Sequence, residues 1–163
     1  MEITFKSFVL FAATLLTGLS AGLFFAWQIS VIPGTKRLQD SVYIEAMQKI
    51  NRAIINPPFM LIFFGPLVVH IISYVLYWDT LISQWLILAA LLFYGIGTVI
   101  VTGLGNVPLN DKLDTLSIKD LSKKQLASER QQYEARWNKL HLIRTLFAVL
   151  SFMLILLAAF IPS

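Results

Sequence analysis

Four apolar blocks, each long enough to cross a bilayer, constrain this chain more than any other feature. They run roughly from Phe8 to Ile32, Pro58 to Trp78, Ile82 to Leu104 and Leu140 to Ile161. Crossing the hydrocarbon takes about 20 residues as a helix, and in lipid every backbone N–H and C=O must find a partner inside the protein. A β-barrel would show shorter segments of alternating polarity instead. The fold class predicted is therefore an all-α integral membrane protein, one domain over residues 1–163. The composition fits: 13% of residues are charged, against about 25% in a typical soluble domain. Up-down connectivity with one very short turn, around Asp79, predicts an antiparallel four-helix transmembrane bundle.

The first block competes with a signal-peptide reading. It exceeds the usual apolar core of such a peptide, about 7–15 residues, and only Lys6 precedes it. A retained helix is expected. Its Gly18, Ser20, Ala21 and Gly22 are small residues of the kind that let membrane helices pack closely.

Charge sets the expected orientation. The loop after the first block carries Lys36, Arg37, Lys49 and Arg52. The loop after the third carries Lys112, Lys119, Lys123, Lys124, Arg130, Arg136 and Lys139. Only Lys6 lies on the opposite side. The positive-inside rule then places both long loops in the cytoplasm and both termini outside. The positive balance is thus a topology signal that also suits anionic lipid headgroups. No nucleic-acid-binding motif accompanies it, so lipids and not nucleic acid are the expected surroundings. Cysteine is absent, which excludes disulfides, thiolate catalysis and thiolate metal ligands. Nothing in the pattern sets an oligomeric state.

The loops have structure of their own. Pro33-Gly34 is expected to stop or turn the first helix. Asp40-Ser41 can then cap an amphipathic helix to about Ile54, with Tyr43, Met47, Ile50 and Ile54 as its apolar stripe. Gly65-Pro66 predicts a bend in the second span. Gly103 and Gly105 let the backbone leave helical geometry before Asn106. Ser122 and Gln125 form a capping-box pattern for a helix that runs into the fourth span.

Chemistry-bearing residues cluster at the cytoplasmic end. Trp137, His141 and Arg144 stand at i, i+4 and i+7, on one helix face, with Asn138 beside His141. One reading is a pocket rim: His141 accepts a proton, Arg144 holds an anionic oxygen and Trp137 forms an aromatic wall. The other is an interfacial Trp, a snorkelling Arg and an ordinary boundary His. Asn106, Asn110, Gln48, Asn51, Trp27 and Gln28 converge on the same end, although Asn side chains also satisfy backbone groups where helices stop. His70 stands apart, about 20 Å along the second span. It is either a functional intramembrane group or a neutral histidine bonded to a neighbouring helix. The two histidines start at different depths and the spans lack carboxylates, so no metal site is expected. No phosphate-cradling glycine loop, HExxH or nucleophile elbow is present.

Several motifs together carry a family resemblance. They are Gly22-x-x-x-x-Trp27, Val31-Ile32-Pro33-Gly34, Ala46-Met47-Gln48-x-Ile50-Asn51 and Asn56-Pro57-x-Phe59, followed by Gly105-Asn106-Val107-Pro108-Leu109-Asn110 and Trp137-Asn138-x-x-His141-x-x-Arg144-Thr145. With these the chain resembles the DUF1772 family of small four-helix membrane proteins, which includes anthrone oxygenases. The resemblance implies oxidation of a lipophilic aromatic or quinone-like compound by dioxygen, with no established cofactor. It assigns His141 as the base, Arg144 with Asn106 or Asn110 as stabilisers of an oxyanion, and Trp137 with Trp27 as ring-stacking walls. Asn51 and Asn138 complete the expected substrate-binding set. Two other functions stay open on the sequence: a non-catalytic binder or assembly partner, and a transporter using His70.

Overall fold

The computed structural model describes residues 4–161. Helix α1 spans Phe5–Thr35, α2 Asp40–Ala53, α3 Pro57–Leu76, α4 Leu81–Asp114 and α5 Lys123–Phe160. Among the described residues there is no strand. Helices α1, α3, α4 and α5 are long and apolar enough to cross a membrane, and the chain is an integral membrane protein. They form a closed ring in which α1 packs on α3 and α5, and α4 packs on α5 and α3.

The side-chain distribution is that of a protein solvated by lipid. Along α1 the inner face is Ala13, Thr17, Ser20 and Ala21, all buried, while Phe8, Phe11, Leu15 and Leu19 point outward and are about half exposed or more. Lipid tails are as apolar as leucine, so nothing drives large aliphatic groups inward, and close packing of small residues decides the interface. Gly97 shows how close: a Cβ there would meet the Phe147 ring carbon at 2.0 Å. Gly18 faces Phe152 in the same way, whereas Gly22 faces open space.

Lengths explain the loop-helix end. At about 1.5 Å per residue, α5 is roughly 57 Å long, nearly twice the hydrocarbon thickness. Its first turns therefore stand outside the bilayer, started by the expected capping box: Ser122 N–H donates to Gln125 Oε1 at 2.9 Å and Gln125 N–H to Ser122 Oγ at 3.4 Å. Helix α2 lies against this extension. Arg130 of α5 donates to the carbonyls of Leu38 and Lys36 and to Asp40 Oδ1, which pins the start of α2. Gln48 Nε2 donates to the carbonyls of Leu113 and Leu116, covering the C-terminal end of α4. Tyr43, Ile44 and Met47 then pack with Leu113, Leu126, Tyr133 and Trp137. Burial pushes the Tyr43 phenol up, so it stays neutral under an Arg130 guanidinium 4.5 Å above its ring.

Two expected breaks take a different form. Pro33-Gly34 does not end α1; the chain widens into a π-helical turn over Trp27–Val31 and continues to Thr35. That wider turn precedes a proline that has no N–H to give. In α4 the glycine-rich stretch also stays helical, as π-helix over Phe93–Ile100 and Thr102–Asn106. Pro66 is buried inside α3, which continues unbroken through Gly65-Pro66 to Leu76.

Candidate functional site

The widened turns of α1 and α4 face the same stretch of α5, and the polar cluster sits between them. π-turns displace the regular ladder and recur at functional sites. On α4, Thr98 Oγ1 donates to the Arg144 carbonyl at 3.2 Å, and Thr102 Oγ1 donates to the Thr98 carbonyl at 2.7 Å. With its proton committed there, Thr102 offers a lone pair to Arg144 Nη1 at 3.3 Å. On α1, the Phe24 carbonyl takes the remaining side: His141 Nε2 lies 3.1 Å from it.

Arg144 and His141 form a unit. Arg144 Nε and Nη2 both approach His141 Nδ1, at 3.1 and 2.9 Å. A guanidinium can only donate, so Nδ1 carries a lone pair and the imidazole proton sits on Nε2, donated to Phe24. The histidine is neutral, and both its nitrogens are engaged. Its ring stacks on Trp137 at 4.9 Å with planes 6° apart. The Arg144 guanidinium lies over the Phe24 and Trp137 rings, at 4.7 and 5.2 Å.

Arg144 is 8% exposed, and no carboxylate among the described residues pairs with it. Buried charges are normally paired, because desolvation costs several kcal/mol per ion. Here the positive charge is offset by aromatic faces, a hydroxyl and an imidazole lone pair. Arg144 has five N–H donors and three hydrogen bonds, so donors remain, and its side chain lines a cavity of about 270 Å³.

That cavity is mostly apolar. Leu23, Phe24 and Trp27 come from α1, Phe59, Met60, Phe63 and Phe64 from α3, and Thr102, Val107, Asn110, Asp111 and Asp114 from α4. Trp137, His141 and Arg144 form its floor from α5, and Ile50, Asn51 and Arg52 of α2 lie over it. A second network stiffens the wall. Asn51 Nδ2 donates to the Tyr133 hydroxyl at 3.3 Å, Tyr133 donates to Asn110 Oδ1 at 2.9 Å, and Trp137 Nε1 donates to the same oxygen at 2.8 Å. Three helices are thereby tied to one amide.

Of the sequence-predicted residues, Trp27, Asn51, Asn110, Trp137, His141 and Arg144 meet at the cavity. Asn106 stands behind the lining, 1% exposed, and donates to the Trp137 carbonyl at 3.3 Å. Asn138 is half-buried and outside the lining. Tyr133, Phe24 and Thr102 were not singled out by sequence. Tyr133 had a signal, one turn before Trp137 on the Trp137–His141 face; Phe24 acts through a backbone carbonyl and had none. His70 lies away from the cavity lining, fully buried, with Nε2 3.1 Å from Thr17 Oγ1. Among the described residues no three His, Asp or Glu side chains gather as a metal-binding group.

Fold and site together define a four-helix integral membrane protein with a buried arginine, paired with no carboxylate among the described residues, at an aromatic cavity. A family model described as anthrone oxygenase matches residues 59–154, and the chain belongs to that family. The matched stretch contains Asn110, Trp137, His141 and Arg144, with Trp27 and Asn51 outside it. No curated protein and no solved structure matches the chain.

Proposed function

We propose that this protein binds a lipophilic phenol or anthrone-like aromatic in the cavity and oxidises it with dioxygen. The observation that supports the reading is Arg144: a buried guanidinium with unspent donors, no carboxylate paired with it and aromatic walls suits an acidic oxygen on a fused-ring body. Trp27, Trp137 and Phe63 flank the rings, and Arg144 holds the oxygen. As Arg144 turns its Nε and Nη2 donors from His141 Nδ1 to that oxygen, it uncovers the lone pair. His141 then takes a proton from the activated methylene. The resulting carbanion gives an electron to dioxygen, and the pair combine to a C–O–O⁻ group that is protonated. Loss of the second methylene proton with O–O cleavage leaves a ketone and releases water. One dioxygen thus supplies the carbonyl oxygen and one water. Arg144 stabilises the charge throughout, as fixed donors do in oxyanion sites. The site lies on the side assigned to the cytoplasm by the basic loops.

The test uses protein reconstituted in lipid vesicles with 1,8-dihydroxyanthrone as substrate. Dioxygen uptake and quinone absorbance should rise together above the protein-free rate. Arg144→Met should cut the protein-dependent rate by roughly 10²–10³, the usual loss for an oxyanion donor. A rate equal to the protein-free background sinks the oxidation step. A second reading, binding without catalysis, draws on one observation: both His141 nitrogens are already engaged.

A further inference from the structure

The cavity mouth has two unlike sides. On one, Ile55, Phe64 and Val107 line it and are 69%, 46% and 42% exposed. On the other, Arg52 of α2 and Asp114 of α4 line it and are joined by an ion pair of 2.7 Å. The apolar side is a gap between helices. Helix α3 packs on α4 along Leu81–Ile100, and the two hold no comparable packing over Thr102–Asp114. Phe64 of α3 and Val107 of α4 both line the cavity.

Depth decides what fills the gap. Helix α3 has 20 residues, about what a crossing takes, so nearly its whole length lies in the hydrocarbon. Phe64 lies seven residues beyond Pro57, roughly 10 Å along the axis and within the hydrocarbon. Leu61, four residues beyond Pro57 on the same helix, is 61% exposed. Phe64 and Leu61, exposed at this depth, face acyl chains.

We propose that the cavity is loaded sideways from the bilayer, between α3 and α4, and that the Arg52–Asp114 pair closes its aqueous side. The ligand is an amphiphile dissolved in the membrane. Its acidic oxygen goes in first to Arg144, and its apolar body trails toward the lipid. Only the acidic oxygen rests on the functional reading above; the route rests on the mouth itself.

The chain reports on this route without added labels. Trp78 and Trp85 are far from the cavity lining, so Trp78→Phe with Trp85→Phe leaves Trp27 and Trp137 as the emitters. This protein is placed in vesicles of phosphatidylcholine with dibrominated acyl chains, which quench on contact. Loss of most of the emission is expected, with little quenching by aqueous iodide. Val107→Phe, or Ile55→Phe should the first variant misfold, should plug the mouth and restore the emission; Leu146→Phe on the outer face should not. Arg52→Ala should raise iodide quenching. Emission indifferent to brominated chains, or quenched equally with the mouth plugged, overturns the route. Binding of 1,8-dihydroxyanthraquinone is read in parallel from the same tryptophans. Its absence with the lipid quenching intact defeats the oxyanion reading and leaves the portal standing.

Discussion

The two histidines of this protein share more than their residue type. Each is fully buried, and each uses Nε2 to reach α1, His70 at the Thr17 hydroxyl and His141 at the Phe24 carbonyl. They differ at Nδ1. In His141 it accepts from a guanidinium beside a cavity. In His70 it has no partner among the described residues, and the ring packs edge-on to Tyr94 at 6.0 Å. Thr17 already gives its proton to the Ala13 carbonyl at 2.6 Å, so it accepts from His70, which is neutral too. An intramembrane histidine is thus not a site by itself. What separates the two is a second charged group and space for a ligand.

The largest effect expected on this contrast comes from Arg144→Met. Removing one partner of a buried charge interaction costs about 2–5 kcal/mol, so the affinity for a phenolic ligand should fall by more than tenfold in a fluorescence titration. His141→Phe keeps the stack on Trp137 and deletes Nδ1. Oxidation should stop, while binding should weaken by only about tenfold, or 1.4 kcal/mol. Equal loss of binding in both variants would erase the division of labour between them. Asn110→Ala strands the donors of Tyr133 and Trp137 and should lower unfolding stability by about 1–3 kcal/mol, the cost of unsatisfied buried groups. His70→Leu should do least. It removes both ring nitrogens and leaves Thr17 bonded to Ala13, so stability should shift by about 1 kcal/mol or less, with affinity and rate unchanged. A loss of oxidation in His70→Leu would place the two histidines in one function.

Much of this contrast was readable before the structure, for specific reasons. The spans follow from block length, and the start of α5 from Ser122 and Gln125. Trp137, His141 and Arg144 share a face by helical spacing alone. What spacing does not carry is the third dimension of the site. The Phe24 carbonyl is a backbone group on a helix 117 residues away, and any residue at that position would supply it. The π-helical turns were marked by glycines and a proline, which signal departure from ideal geometry without giving its form. Asn106 and Asn110, four residues apart, looked equivalent, yet one lines the cavity and the other holds the backbone of Trp137. His70 stood open between two roles in sequence, and its Thr17 contact supplies the structural one.

The ionisation state of a bound ligand tests the account most directly. 1,8-dihydroxyanthraquinone absorbs at longer wavelength as a phenolate than as a neutral phenol. Bound to the reconstituted protein at neutral pH, its visible band should move to the phenolate position, and in Arg144→Met it should stay at the neutral one. A neutral band in the native protein, or a phenolate band that survives the loss of Arg144, would contradict the claim that this arginine holds an oxyanion.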